Sequence, residues 1–106
     1  MKIYNKLVRD KIPEIINKDN RKAIIRVLNN EEYVRELNKK LQEEVNEYFE
    51  DNHVEELADI IEVIYGIVNA KNISIDQFEK IRKSKVEKRG AFQQKIFLEK
   101  VIEDGE

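Results

Sequence analysis

The stretch EEVNEYFEDNHVEELAD, residues 43–59, decides how the chain folds. It holds two carboxylate pairs at three-residue spacing, Glu44 with Glu47 and Glu56 with Asp59, and Asn52 marks a turn between them. Residues three apart on a helix are surface neighbours, so each like-charged pair costs about 0.2–0.5 kcal/mol unless a cation offsets it. Two consecutive helices carry that cost, and a short connection favours antiparallel packing. The pairs then face each other across the helix seam and present several oxygens to one or two hard cations. Mg²⁺ suits such a cage, because it binds through a few carboxylates and leaves positions for water and substrate phosphates.

Working outward, Asn29 followed by Glu32 has the capping-box pattern and predicts a helix running to about Asp51. Its apolar stripe is Val34, Leu37, Leu41, Val45 and Tyr48, with Tyr33 and Phe49 at the margins. At about 100° per residue, Glu44 borders the stripe, Glu47 lies farther round and Glu43 points nearly opposite. Downstream, Asn52 as cap with Glu55 three residues on predicts a second helix to about Lys71, closed by Asn72 in a left-handed conformation. Leu57, Ile61, Ile64 and Val68 form one apolar face; Ile60, Val63 and Ile67 form a second, with Glu56 beside it. A helix apolar over more than half its circumference is buried between neighbours, and in a domain this small one neighbour could be another chain. Glu56 is then partly desolvated and requires a cation or a raised pKa.

The ends of the chain are less regular. YNKLVRD reads as an arm, and Pro13 opens a short helix that Asn20 ends. Ala23–Leu28 is largely β-branched and reads as an extended segment that could pair with Lys95–Val101 in a small β-hairpin. Ser74 with Gln77 begins a third long helix, whose apolar positions Phe78, Ile81 and Val86 give way to the basic run Arg82, Lys83, Lys85, Lys88 and Arg89 before Gly90 stops it. The expected fold is all-α: an antiparallel bundle of three main helices plus a short N-terminal helix, with the 23–28 and 95–101 hairpin as an addition.

Composition agrees with that class. At 106 residues the chain is read as a single domain, residues 1–106, with a core small enough for oligomerisation to add to stability. Charged residues make up 40% and apolar residues 41%, with three Gly, one Pro and no Cys, which favours a solvated helical protein without disulfide or thiolate chemistry. The basic N-terminus lacks an apolar signal core and no apolar run is long enough to span a bilayer, so a cytoplasmic protein is expected. The net charge of −2 gives no overall basic bias towards nucleic acid. Acids nevertheless concentrate between Glu43 and Glu62, and basic residues in Lys2–Lys11 and Lys80–Arg89, a distribution able to hold a metal and a phosphorylated ligand together.

Glu44, Glu47, Glu56 and Asp59 are therefore the candidate metal ligands and catalytic residues, for Mg²⁺ or Mn²⁺ rather than zinc. The single His53 lies at a helix start, away from the pattern. Lys85 and Arg89, four apart, share a helix face and suit phosphate groups, Arg through its planar fork. Lys40, one turn before Glu44, is either a further substrate contact or an ion-pair partner of Glu44. The simplest alternative for each of these charges is an ordinary solvated helix face.

These residues also carry a resemblance. EEVNE followed by EELAD is similar to the EExxE and ExxD motif of the MazG-like, all-α nucleoside triphosphate pyrophosphohydrolase superfamily. YNKLVRDKIPEII and KSKVEKRGAFQQKIFLEKV resemble its phosphoribosyl-ATP pyrophosphohydrolase-like subgroup, so the likeness covers nearly the whole chain. The resemblance implies a helical dimer or tetramer that hydrolyses a nucleotide between its α- and β-phosphates, giving a monophosphate and pyrophosphate. It also implies Glu44, Glu47, Glu56 and Asp59 as Mg²⁺ ligands, Lys85 and Arg89 as phosphate contacts, and a carboxylate such as Glu47 as acceptor of the attacking water's proton. The eight residues between Glu47 and Glu56 leave less room for base recognition than longer members have. Two other readings compete: a non-catalytic interaction module using the face of Ile60, Val63 and Ile67, and a nucleotide- or nucleic-acid-binding protein using the basic helix.

Overall fold

The Asn29 side chain accepts a hydrogen bond from the Glu32 backbone N–H at 2.8 Å and starts the longest helix of the computed structural model, which describes residues 1–105. Four helices follow one another: α1, Ile12–Lys18; α2, Asn30–Asp51; α3, Val54–Ala70; and α4, Ile75–Arg89. The fold is all-α, with no strand among the described residues. None of these helices is long and apolar enough to cross a membrane. Two compact units divide the chain, Met1–Ile75 and the remainder from Asp76.

In the first unit, α2 and α3 form an antiparallel hairpin. Asn52 adopts a left-handed conformation (φ 55°, ψ 25°) and donates its backbone N–H to the Tyr48 carbonyl at 2.7 Å. Only Asn52 and His53 separate the helices, so α3 must fold straight back along α2. Asn52 therefore ends α2 rather than capping α3, whose N-cap is His53 without a side-chain cap hydrogen bond. The same short polar side chain suits both roles, and its tolerance of positive φ decides between them here. Asn72 (φ 62°) follows α3 and Gly90 (φ 84°) follows α4, each in the left-handed region their position after a helix requires.

The apolar stripe of α2 faces α3. Leu37 is buried at 5% exposure, and Val34, Leu41, Val45 and Tyr48 are half-buried around it. On α3, Val68 is buried at 7%, and Ile60, Val63 and Ile67 are half-buried. Gly66 permits a close approach, because a Cβ added there would lie 3.0 Å from Leu37 Cδ2 and 3.5 Å from the Tyr33 hydroxyl. The face of Leu57, Ile61, Ile64 and Val68 changes along its length: Val68 is buried and Ile64 half-buried, whereas towards the turn Leu57 (40%) and Ile61 (48%), with Val54 (75%), form an exposed stripe. The face offered as a partner surface in the interaction-module reading, Ile60, Val63 and Ile67, is half-buried throughout.

The hairpin expected from residues 23–28 and 95–101 is absent. Two side chains take the hydrogen bonds around the first segment: Asn17 Oδ1 accepts from the Ala23 N–H at 3.0 Å, and Glu32 accepts from Arg26 at 3.1 Å. In the second, Lys95 has φ 59° and its N–H turns back towards the Phe92 carbonyl at 3.5 Å, which breaks the extended run at its start. Residues 91–105 contain no helix or strand.

Replacing Gly66 with Val forces a branched side chain against the buried Leu37 and should cost about 1–3 kcal/mol. Leu37→Ala should cost about 2–4 kcal/mol through lost burial and the cavity left behind. Urea denaturation measures both, and a Gly66→Val protein with the wild-type midpoint would show that the helices do not meet at this point.

Candidate metal centre

Because α3 returns along α2, residues similarly distant from the turn come together. Glu44 lies eight positions before Asn52 and Asp59 lies six after His53, so both reach the same level of the hairpin. Carboxylate oxygens of Glu44, Glu56 and Asp59 lie within 4.8 Å of one another, and all three residues are half-buried. The helix spacing places Glu56 and Asp59 one turn apart on α3, and the α2 stripe carries Glu44 at its edge. Local helix geometry and the two-residue turn are sufficient to build the cluster.

The fourth predicted acid, Glu47, is exposed and stands outside the three-oxygen group. It still acts on the others electrostatically. The Glu44 pKa is raised above the ordinary carboxylate range, first by desolvation and then by the charge of Glu47 and a carboxyl–carboxyl hydrogen bond with it. Asp59 adds to the rise, and Lys40 opposes it. Glu56 is raised likewise, by desolvation first, then by the charges of Glu47, Asp51 and Asp59, and last by a carboxyl–carboxyl hydrogen bond with Glu47 that forms only when one of the two is protonated. Glu56 Oε2 is fully occluded and has no hydrogen-bond partner. An occluded carboxylate oxygen without a donor is costly, and a cation in the cluster would satisfy it.

That donor set fits a hard divalent ion. Oxygens around one octahedral Mg²⁺ are at most about 4.2 Å apart, twice the metal–oxygen distance, so a cluster whose oxygens lie within 4.8 Å of one another would draw in slightly to close on a single ion. Three carboxylates and no thiolate favour Mg²⁺ or Mn²⁺. His53, exposed at the α3 N-cap, is not among the clustered residues.

A cleft of about 520 Å³ opens beside the cluster. Glu44 and Asp59 lie in its wall with Lys40 and Glu62, and the N-terminal arm contributes Leu7–Lys11. Lys40 sits 3.8 Å from Glu43 Oε2, so its loose ion pair is with the acid three residues on and not with Glu44. Glu43 itself is exposed and lies outside the cluster. Lys85 and Arg89 lie one turn apart on α4, both exposed, in the second unit.

One residue at this site has no counterpart among the sequence candidates. Arg9 Nη2 donates to Asp59 Oδ1 at 2.6 Å and brings the arm to the acidic cluster. Nothing periodic connects positions fifty residues apart, and the only sequence sign was the basic character of Lys2–Lys11. Comparison with family models, curated proteins and solved structures finds no match to this chain.

The raised pKa values set a pH dependence. In metal-free solution the native state holds the Glu44 and Glu56 protons more tightly than the unfolded chain does. The stability these groups contribute is full below their unfolded pKa and is lost as pH rises through the higher folded one. Chelator-treated protein should therefore gain stability from both groups as pH falls from 7 towards the ordinary carboxylate range. Glu56→Gln should flatten that trend and raise the metal-free melting temperature at pH 7, as read by thermal denaturation in EDTA. A wild-type curve unchanged by the substitution would remove the electrostatic burden assigned to Glu56.

Proposed function

We propose that this chain is a cytoplasmic, Mg²⁺-dependent nucleotide pyrophosphohydrolase of the MazG-like type, cleaving between the α- and β-phosphates to release a nucleoside monophosphate and pyrophosphate. The observation that carries the reading is the convergence of Glu44, Glu56 and Asp59 from two helices beside a cleft that also holds cationic side chains. A phosphate chain needs both: acids to hold the cation that screens it, and basic groups to meet its remaining charge. The resemblance of the EEVNE and EELAD motifs supplies the reaction class.

In this mechanism Glu44, Glu56 and Asp59 would hold the ion, which would supply neutralisation of the charge developing on the phosphoryl oxygens. Water attacks phosphorus; a P–O bond forms while the bridging P–O bond breaks, and pyrophosphate leaves. Glu47 borders the cluster without joining it and accepts the proton of the attacking water. Lys40 lies in the wall of the cleft and meets a phosphate oxygen. The resemblance assigns Lys85 and Arg89 the same class of contact.

The protein acts as a homo-oligomer in this reading. Leu37 and Val68 are its only buried hydrophobic residues among those described, while Val54, Leu57 and Ile61 leave an apolar stripe on the hairpin that holds the acids. A second copy seated on that stripe supplies the burial that a chain of this size lacks.

Incubated with a panel of nucleoside triphosphates and Mg²⁺, the protein should release pyrophosphate and monophosphate. Glu44→Gln and Asp59→Asn should lower turnover on the order of 10²-fold or more, the scale seen when a group stabilising transition-state charge is removed. Orthophosphate as the product, or full activity in either variant, would refute the assignment. Light scattering should give a dimer or tetramer, with Ile61→Glu shifting it towards monomer; a monomeric wild type would refute the assembly.

A further inference from the structure

Arg9 occupies an unusual position for a residue of an N-terminal arm. Its guanidinium lies 2.6 Å from Asp59 Oδ1, just under the usual range of about 2.7–2.9 Å for a charge-assisted N–H···O hydrogen bond. Asp59 is also one of the three clustered acids. The arm is held in place from its other side, since the Arg9 carbonyl accepts the Ile12 N–H at 3.1 Å and the Lys11 carbonyl accepts the Ile15 N–H at 3.1 Å, where α1 begins. Leu7–Lys11 also form part of the cleft wall.

A carboxylate that already neutralises a guanidinium is a poorer ligand for a divalent ion, and the two cations repel each other across it. The Arg9 and Asp59 side chains are 59% and 41% exposed, so their pair is weak and exchange with solvent is cheap. The guanidinium fork matches a phosphate as well as it matches a carboxylate. We propose that Arg9 is an exchangeable counter-cation: it holds Asp59 in the metal-free protein, yields that carboxylate to the divalent ion, and then contacts the phosphate chain of the nucleotide. Arg9 is thereby a substrate-positioning residue, and metal binding is coupled to phosphate recognition through one carboxylate. This inference rests on the metal reading of the cluster.

Titration calorimetry with Mg²⁺ alone separates the steps. Arg9→Gln should bind Mg²⁺ about two- to five-fold more tightly than the wild type, the range expected for losing a weak exposed ion pair. With Mg²⁺ saturating, the same variant should bind a non-hydrolysable α,β-methylene triphosphate about ten-fold or more weakly, the loss of a hydrogen bond to a charged group. Arg9→Lys keeps the charge but not the fork, so its Mg²⁺ affinity should stay near wild type while its triphosphate affinity falls; it tests the same exchange if Arg9→Gln does not fold. Weaker or unchanged Mg²⁺ binding in Arg9→Gln overturns the exchange, as does unchanged triphosphate binding in either variant. A wild type that binds no Mg²⁺ at all would remove the metal reading itself, and this inference with it.

Discussion

The two-residue connection between α2 and α3 is the constraint on which the rest depends. With only Asn52 and His53 to reverse direction, α3 has no choice of partner or register, and Gly66 comes to rest against Leu37 thirteen residues beyond the turn. The same geometry sets acids of one helix against acids of the other. Repulsion that each helix could relieve alone by turning its acids to solvent becomes a shared feature of the seam. Asn52 is what makes this possible, because a residue that resisted positive φ would lengthen or unwind the connection and move Glu44 and Asp59 out of level.

The seam consequently combines its best packing and its least favourable electrostatics. Leu37, Val68 and the half-buried residues around them draw the helices together. Glu44, Glu47, Glu56 and Asp59 push them apart where the packing thins towards the turn. Proton uptake by Glu44 and Glu56 and the Arg9–Asp59 pair each relieve part of that repulsion. A divalent cation seated among these carboxylates would offset that repulsion.

Features set by neighbours in sequence were legible before the fold was known. The Asn29 cap, the shielded stripe of α2, the stop at Asn72 and the stop at Gly90 all follow from residues within a turn of one another. Helix periodicity likewise separated Glu44 from Glu43, which lies exposed beside Lys40. Asn52 was harder because capping and left-handed termination call for the same side chain. The 23–28 segment was misread because β-branched composition describes an extended backbone but cannot supply the strand beside it. Arg9 was not legible at all: a pair fifty residues apart leaves no pattern in either segment, and only the fold reveals which arginine of a basic arm reaches an acid.

The exposed face of α3 ties these points together. A helix carrying both clustered acids and an exposed apolar stripe cannot have its two faces treated separately. Val54 and Leu57 lie within two residues of Glu56, so whatever covers them also fixes the rotation of the first turns of α3 and hence the direction in which Glu56 and Asp59 point. In a lone chain that rotation is resisted chiefly by contacts with α2, where Leu37 is the one buried side chain. A second copy on the stripe would hold the acids from behind while adding burial. Assembly and cation affinity are therefore expected to rise and fall together, through the orientation of one helix rather than through any residue shared between them.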